Sequence, residues 1–153
     1  PISAFMHGGE QESGIRAGTL AVHNIVGFGK AAELALAQQD ERTRRLMQID
    51  SAARALFANE PHLELLGDAN AHIPGLFSVI VHKNTFDNER FIQKISGQYA
   101  ISSGSACTAG EPSHVLRAIG RSDETSRVLR ISLSDGSSIE DVKQLIAILK
   151  DIP

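Results

Sequence analysis

Residues 127–150, RVLRISLSDGSSIEDVKQLIAILK, carry the decision between fold classes. The first part alternates: Leu129, Ile131 and Leu133 interleave with Val128, Arg130 and Ser132, the two-residue period of a strand. The last part changes period. Ile139, Val142, Leu145, Ile146 and Leu149 fall on one helical face, and Ser137 with Glu140 has the spacing of a capping box at its start. The SDGSS stretch between them is turn chemistry. A strand followed at once by a short turn and an amphipathic helix implies that sheet and helices share one core.

The rest of the chain extends that pattern. Leu63–Leu66 and Leu76–Val81 are short apolar runs bounded by Gly-Asp and Pro-Gly, which reads as two strands. Tyr99–Ser102 is a further short strand candidate. Residues 20–37 are apolar on almost every side, the pattern of a buried helix, and Gly27 and Gly29 within it imply close packing. The solvated QQDERTRR of 38–45 follows, and Leu46, Ile49, Ala53 and Leu56 resume helical spacing. This predicts one long helix over 20–58, or two with a weak joint, ended by Pro61. A helix is expected over 86–95 with Thr85 as its N-cap, and another over 112–119 opened by Pro112 and closed by Gly120. The expected class is α+β: a long helix, a short, mostly antiparallel sheet and flanking helices.

Composition narrows the function. The 153 residues are 42% apolar and 22% charged with a net charge of −3, as in an ordinary globular domain. No basic excess calls for direct nucleic-acid binding or an anionic membrane, and 5% aromatics with no Trp leave little for base stacking. No run approaches the roughly 18 apolar residues of a membrane span. The N-terminus lacks the regions of a signal peptide, so the cytoplasm is expected. The six histidines have no ligand-like spacing, and one cysteine excludes a disulfide framework or a multi-cysteine metal site. The chain opens on Pro1 rather than Met, which fits a part of something longer.

That cysteine is the most informative residue. Cys107 lies among Ser102, Ser103, Gly104, Ser105, Ala106, Thr108, Ala109 and Gly110, none large enough to fill a core. A lone cysteine is usually a small buried hydrophobe, but a thiol in an exposed segment of small residues suits a nucleophile that must travel. Residues 7–19, HGGEQESGIRAGT, hold four glycines in thirteen positions and read as a loop with unusual backbone angles. Thr19 alone would be the N-cap of a helix starting at Leu20, and such a helix start also offers N–H groups to a phosphate. Arg130 alone would as readily pair with a structural carboxylate. His114 is a helix-surface residue within possible reach of Cys107, and Arg42, Arg44 and Arg45 form a solvated face.

SSGSACTAGEPSHVLRAIG at 102–120 resembles the active-site cysteine segment of the NifS/IscS-type cysteine desulfurases, pyridoxal-phosphate enzymes of the class V aminotransferase group. HGGEQESGIRAGTLAVHNIVGFGKAAE at 7–33 is similar to their glycine-rich segment, and VLRISL at 128–133 to a late strand carrying a substrate-binding arginine. The three occur in the family's order. The resemblance implies the small C-terminal domain of a fold-type I pyridoxal-phosphate enzyme over 20–153, bearing its cysteine loop at 102–111. It implies that 1–19 is a glycine-rich segment of the large domain and dimer interface. Family enzymes take sulfur from L-cysteine, leaving L-alanine and a persulfide that passes to an acceptor protein: an iron–sulfur scaffold, or a component of tRNA thiolation or DNA phosphorothioation. On that likeness Cys107 is the nucleophile, Arg130 holds the substrate carboxylate, and Thr19 reaches across a homodimer to the partner's cofactor phosphate. His7 and Gln11 share the glycine-rich segment without an assigned role.

Several features depart from the family. Its cofactor lysine lies in a Ser-x-His-Lys type stretch, roughly a score of residues before the glycine-rich segment. None of the five lysines here, at 30, 83, 94, 143 and 150, has that context. Lys83, after Val81-His82, reads as a solvated strand end. The chain alone is therefore expected to bind no pyridoxal phosphate and to be inactive. Glu10 and Ser13 stand where the family usually has Gly and Arg. The stretch after Cys107 is about two residues short, and since an extended residue spans at most about 3.3–3.6 Å, the thiol loses several ångströms of reach. The competing expectation is a stand-alone persulfide relay, or a dimerisation or docking module without catalysis.

Overall fold

The computed structural model describes residues 2–104 and 113–152. The chain forms two compact units, Pro1–Asp40 and Glu41–Pro153. Helix α1 (Val22–Ala58) contributes its first part to one and its last part to the other.

The second unit is built on a three-stranded antiparallel sheet of β1 (Leu63–Leu66), β2 (Leu76–Val81) and β3 (Val128–Ser132), with β2 in the centre. All three fall where alternation and apolar runs place strands. The register pairs Leu65 with Val79 and Phe77 with Ile131. Strand side chains alternate between faces, so Leu63, Leu65, Phe77, Val79, Val81, Leu129 and Ile131 all project to one side. There they meet Ala53 and Phe57 of α1, Phe91 and Ile95 of α2 (Asn88–Ile95), and Val142, Leu145, Ile146 and Leu149 of α4 (Ile139–Lys150). Phe57 and Phe77 pack as a tilted pair with ring centroids 5.5 Å apart. The opposite face carries a smaller cluster, in which Leu66, Ile80 and Val128 receive Leu116 of α3 (His114–Ala118).

Helix starts differ from the sequence expectation by one to two residues, for identifiable reasons. Helix α2 is capped by Asp87, not Thr85: its Oδ1 accepts the Arg90 amide at 3.0 Å. Phe86, just before the cap, is buried against Phe91 with centroids 5.4 Å apart. This hydrophobic staple takes the residue before the cap out of the helix and into the core. The capping box of α4 is Ser138 with Asp141, not Ser137 with Glu140. Ser137 is used one step earlier, where its Oγ accepts the Ser134 amide at 3.0 Å and closes the turn. Helix α3 is capped by Ser113, whose Oγ accepts the Leu116 amide at 3.3 Å, and it is closed by Gly120 at φ +74° as expected. Pro112 lies outside the described residues. Tyr99–Ser102 forms no strand. The Gln98 and Tyr99 amides turn back to the Ile95 carbonyl at 2.8 and 2.9 Å, leaving only Ser102 to pair with the sheet.

The largest correction concerns the first unit. Residues 20–37 were expected to form a buried helix, yet within this chain Val22, Ile25, Val26, Phe28, Leu34 and Leu36 are exposed, Phe28 by 79%. A Cβ at Gly27 or Gly29 would meet nothing within 4 Å. The apolar pattern is present, but among the described residues it is left exposed. Thr19 is not an N-cap, because the helix begins three residues later and the Ala21 carbonyl accepts its first helical bond, from Ile25 at 3.1 Å. No described helix is long and apolar enough to cross a membrane.

One polar node ties α1 to the loop before β2. Asp50 is 4% exposed. Its Oδ1 accepts the Gly75 amide at 2.7 Å, and its Oδ2 lies 3.0 Å from Arg54 Nε and 2.9 Å from His72 Nε2. Burial pushes the Asp50 carboxyl up, but the Gly75 amide, His72 and Arg54 outweigh it and hold it below the usual carboxylate value. A depressed carboxylate stabilises the fold fully above its unfolded value, and that contribution is lost as the pH falls through the folded one. Asp50→Ala should destabilise the domain by about 1–3 kcal/mol in urea titrations, the cost of orphaning buried donors. The wild-type stability should fall as the pH drops below about 4, and Asp50→Asn should weaken that dependence.

Candidate functional site

Arg130 owes its position to the register of β3. Leu129 and Ile131 point into the three-helix core, so Arg130 between them points to the other face, where it is exposed. Its cross-strand neighbour on β2 is Ser78. The guanidinium makes no hydrogen bond or ion pair to any described residue, so the structural-carboxylate alternative finds no partner there. On its outer edge Arg130 forms an antiparallel bridge with Ser102: the Arg130 amide donates to the Ser102 carbonyl at 2.6 Å, and the Ser102 amide donates back at 3.2 Å.

Cys107 itself lies outside the described residues, as do the others from 105 to 112. Both flanks of that segment are described, and both are fastened to the Arg130 strand. Ser102 is bonded to the backbone of Arg130. On the far side Ser113 caps α3, and Leu116 seats that helix on Ile80 and Val128, the face that Arg130 shares. Beyond α3, Arg121 pairs with Glu64 of β1, whose other oxygen lies 2.7 Å from His82 Nε2. This network secures α3 at its C-terminal side. No sequence signal marks it, because its members come from β1, the end of β2 and the turn after α3. His114 is exposed on α3, as expected.

Thr19 belongs to the first unit, in a glycine-rich segment that folds back on itself. The Ala17 amide donates to the Met6 carbonyl at 3.1 Å. The reversal uses Glu12 and Ser13 at φ 52° and 56°, left-handed angles that cost a non-glycine residue roughly 1–2 kcal/mol each. Glu10, where the family usually has Gly, has φ −84°, so the backbone there requires no glycine. Gln11, which the sequence left without a role, bonds the Gly18 amide at 3.2 Å through its side-chain oxygen. The exposed Thr19 hydroxyl has no hydrogen-bond partner among the described residues. An unengaged hydroxyl beside a positive-φ glycine fits one outlying contact to a phosphate.

Four of the five lysines have a described partner. Lys83 is not the solvated strand end that was expected. Its Nζ donates to the Lys150 carbonyl at 2.6 Å and to the Ile152 carbonyl, fastening the end of α4. Lys30, Lys143 and Lys150 pair with Glu33, Glu140 and Glu60. Burial, together with Lys83 and Lys150 and against Glu60, pushes His62 below the usual histidine value, so it stays neutral beside these cations. Arg42 and Arg44 lie on solvated ion pairs with Asp135 and Glu41, as the charge run implied. Among the described residues no group of three or more His, Cys, Asp or Glu could hold a metal.

The described site is thus an exposed arginine on a sheet face, with Ser102 and α3, the two flanks of the cysteine segment, fastened to the same sheet. The model of the aminotransferase class-V family matches residues 5–145, and the chain belongs to that family. Within it, the chain is 37% identical over 153 residues to a cysteine desulfurase IscS of Methylococcus capsulatus, covering 98% of this chain and 37% of that protein. It is 42% identical over 125 residues to the cysteine desulfurase IscS of Ruthia magnifica, of which it covers 30%. The chain thus spans 30–37% of the length of these relatives. Among solved structures, the NifS-like protein of Rickettsia africae superposes with a TM-score of 0.79 at 25% identity, over 99% of this chain and 41% of that one. The α+β fold is that of the NifS-like enzymes.

The bridge at Ser102 is testable by itself. Ser102→Pro removes the amide that donates to the Arg130 carbonyl. Hydrogen exchange at the Arg130 amide should then accelerate about tenfold or more while the Leu129 and Ile131 amides stay protected. Unchanged exchange at Arg130 would mean that the bridge does not anchor the segment.

Proposed function

We propose that this chain is the C-terminal portion of a pyridoxal-phosphate-dependent cysteine desulfurase, with Cys107 as persulfide carrier, Arg130 as the substrate carboxylate's ligand and Thr19 as a contact to the cofactor phosphate of a dimer partner. The supporting observation is the pair of backbone hydrogen bonds between Ser102 and Arg130. It makes the residue that would hold the substrate also the anchor of the segment that carries the nucleophile. Cys107 is five residues from Ser102, so covalent geometry keeps it within about 18 Å of that anchor.

The exposed guanidinium of Arg130 presents a planar fork to the carboxylate of L-cysteine and holds it with paired charge-assisted bonds. When bound, the cofactor supplies an electron sink beside the substrate carbon. The Cys107 thiolate attacks the substrate sulfur. A sulfur–sulfur bond forms, the substrate's carbon–sulfur bond breaks, and the carbon keeps the bonding pair and takes up a proton. The products are L-alanine and a Cys107 persulfide, with no external oxidant. The outer sulfur then passes to a thiol of an acceptor protein. A reducing cytoplasm keeps the single thiol available. None of the five lysines has the family's Ser-x-His-Lys context, so the remaining part of the enzyme is assigned the cofactor lysine, and this chain alone is assigned no turnover.

In the full gene product supplied with pyridoxal phosphate and L-cysteine, Cys107→Ser should abolish the protein persulfide seen by mass spectrometry. Arg130→Ala should raise KM for L-cysteine by about 10- to 100-fold, the worth of a charge-assisted pair. Persistent persulfide in Cys107→Ser, or an unchanged KM in Arg130→Ala, overturns the respective assignment.

A further inference from the structure

Gly18, next to Thr19, has φ +102°, and with no side chain its backbone is free to sample other angles. The structure holds it from both sides. Its amide donates to Gln11 Oε1 at 3.2 Å, and its carbonyl accepts from Arg16 at 3.2 Å. The first bond orients the peptide before Gly18, and the second orients the peptide that leads into Thr19. Together they fix both backbone dihedrals of the glycine. Gly9 lies beneath this arrangement: a Cβ there would come within 2.5 Å of Gln11 Oε1 and push the carboxamide away.

Neither side chain serves a core. Gln11, Arg16, Gly18 and Thr19 are all exposed, and Ala17 is the only residue between 2 and 21 that is buried. Two exposed polar side chains are thus committed to the one glycine that leads into Thr19. We infer that Gln11, with Arg16, is the positioning residue for Thr19, setting the direction in which its hydroxyl meets the cofactor phosphate. The inference rests on the assignment of Thr19 to that phosphate made above. Gly9 is required for the same reason, since it leaves room for the Gln11 carboxamide.

The consequence is a population effect. A Gly18 released from Gln11 samples other angles, so the arrangement competent to bind phosphate becomes a fraction of the whole, and the apparent dissociation constant rises by the inverse of that fraction. The test uses the apo form of the full gene product, titrated with pyridoxal phosphate, and hydrogen exchange at Gly18. Gln11→Leu should raise the dissociation constant for pyridoxal phosphate about three- to tenfold and speed exchange at the Gly18 amide. Gly9→Ala should reproduce both effects by displacing Gln11. Thr19→Val should raise the dissociation constant by itself, and Gln11→Leu added to Thr19→Val should raise it no further. Additive effects of the two substitutions, or an unchanged constant in Gln11→Leu while Thr19→Val weakens binding, overturn the role of Gln11 and leave that of Thr19 standing. An unchanged constant in Thr19→Val removes the phosphate assignment and the positioning role with it.

Discussion

The pairing of Phe77 with Ile131 is the constraint on which the second unit depends. With β2 central, that register decides which side of β3 meets the helices. A slip of one residue would exchange the faces of the whole strand. Leu129 and Ile131 would leave the core, and Arg130 would enter it without a partner, at the cost of burying an unpaired charge. The same apolar layer that selects the register therefore also selects the face on which a cationic side chain stands.

The rest of the candidate site is arranged around that face. Helix α3 is too short to be stable alone and is held by Leu116 against Ile80 and Val128, by the Ser113 cap, and by the Arg121–Glu64 pair behind it. Ser102 joins the edge of β3 by two backbone bonds. Both described flanks of the cysteine segment are thus fastened to the sheet that carries Arg130. The glycine-rich segment follows a different logic. It has almost no buried surface, and its conformation comes from polar bonds and from two left-handed residues, a form of local strain that tends to gather at functional sites.

Much of this was legible in the chain. Short apolar runs bounded by turn residues found β1 and β2, alternation found β3, and the helical stripe of α4 found its buried face, because burial writes itself directly into a periodic element. Helix starts were less legible. Ser137 and Ser138 are chemically the same, and which of them caps α4 depends on which the preceding turn consumes. Thr85 and Asp87 differ as caps only once Phe86 is seen to be drawn into the core. The apolar helix at 20–37 was read correctly in composition and wrongly in consequence. Apolarity favours cover without saying what supplies it, and among the described residues Val22, Ile25, Val26 and Phe28 stay exposed.

The sequence by itself determined the α+β class, the three strands of the sheet, the buried stripe of α4 and, through the resemblance, the membership of the family; it also nominated Cys107, Arg130 and Thr19. These rest on local periods and on short motifs, which are properties of neighbouring residues. Only the tertiary structure decided that Ser102 bonds Arg130, that Lys83 fastens the end of α4, that Asp50 holds the loop before β2, and that Gln11 and Arg16 clamp Gly18. Each of these is a bond made through a turn or between elements remote in the chain, with geometry set by how the backbone packs. No local pattern of residue types encodes such a meeting.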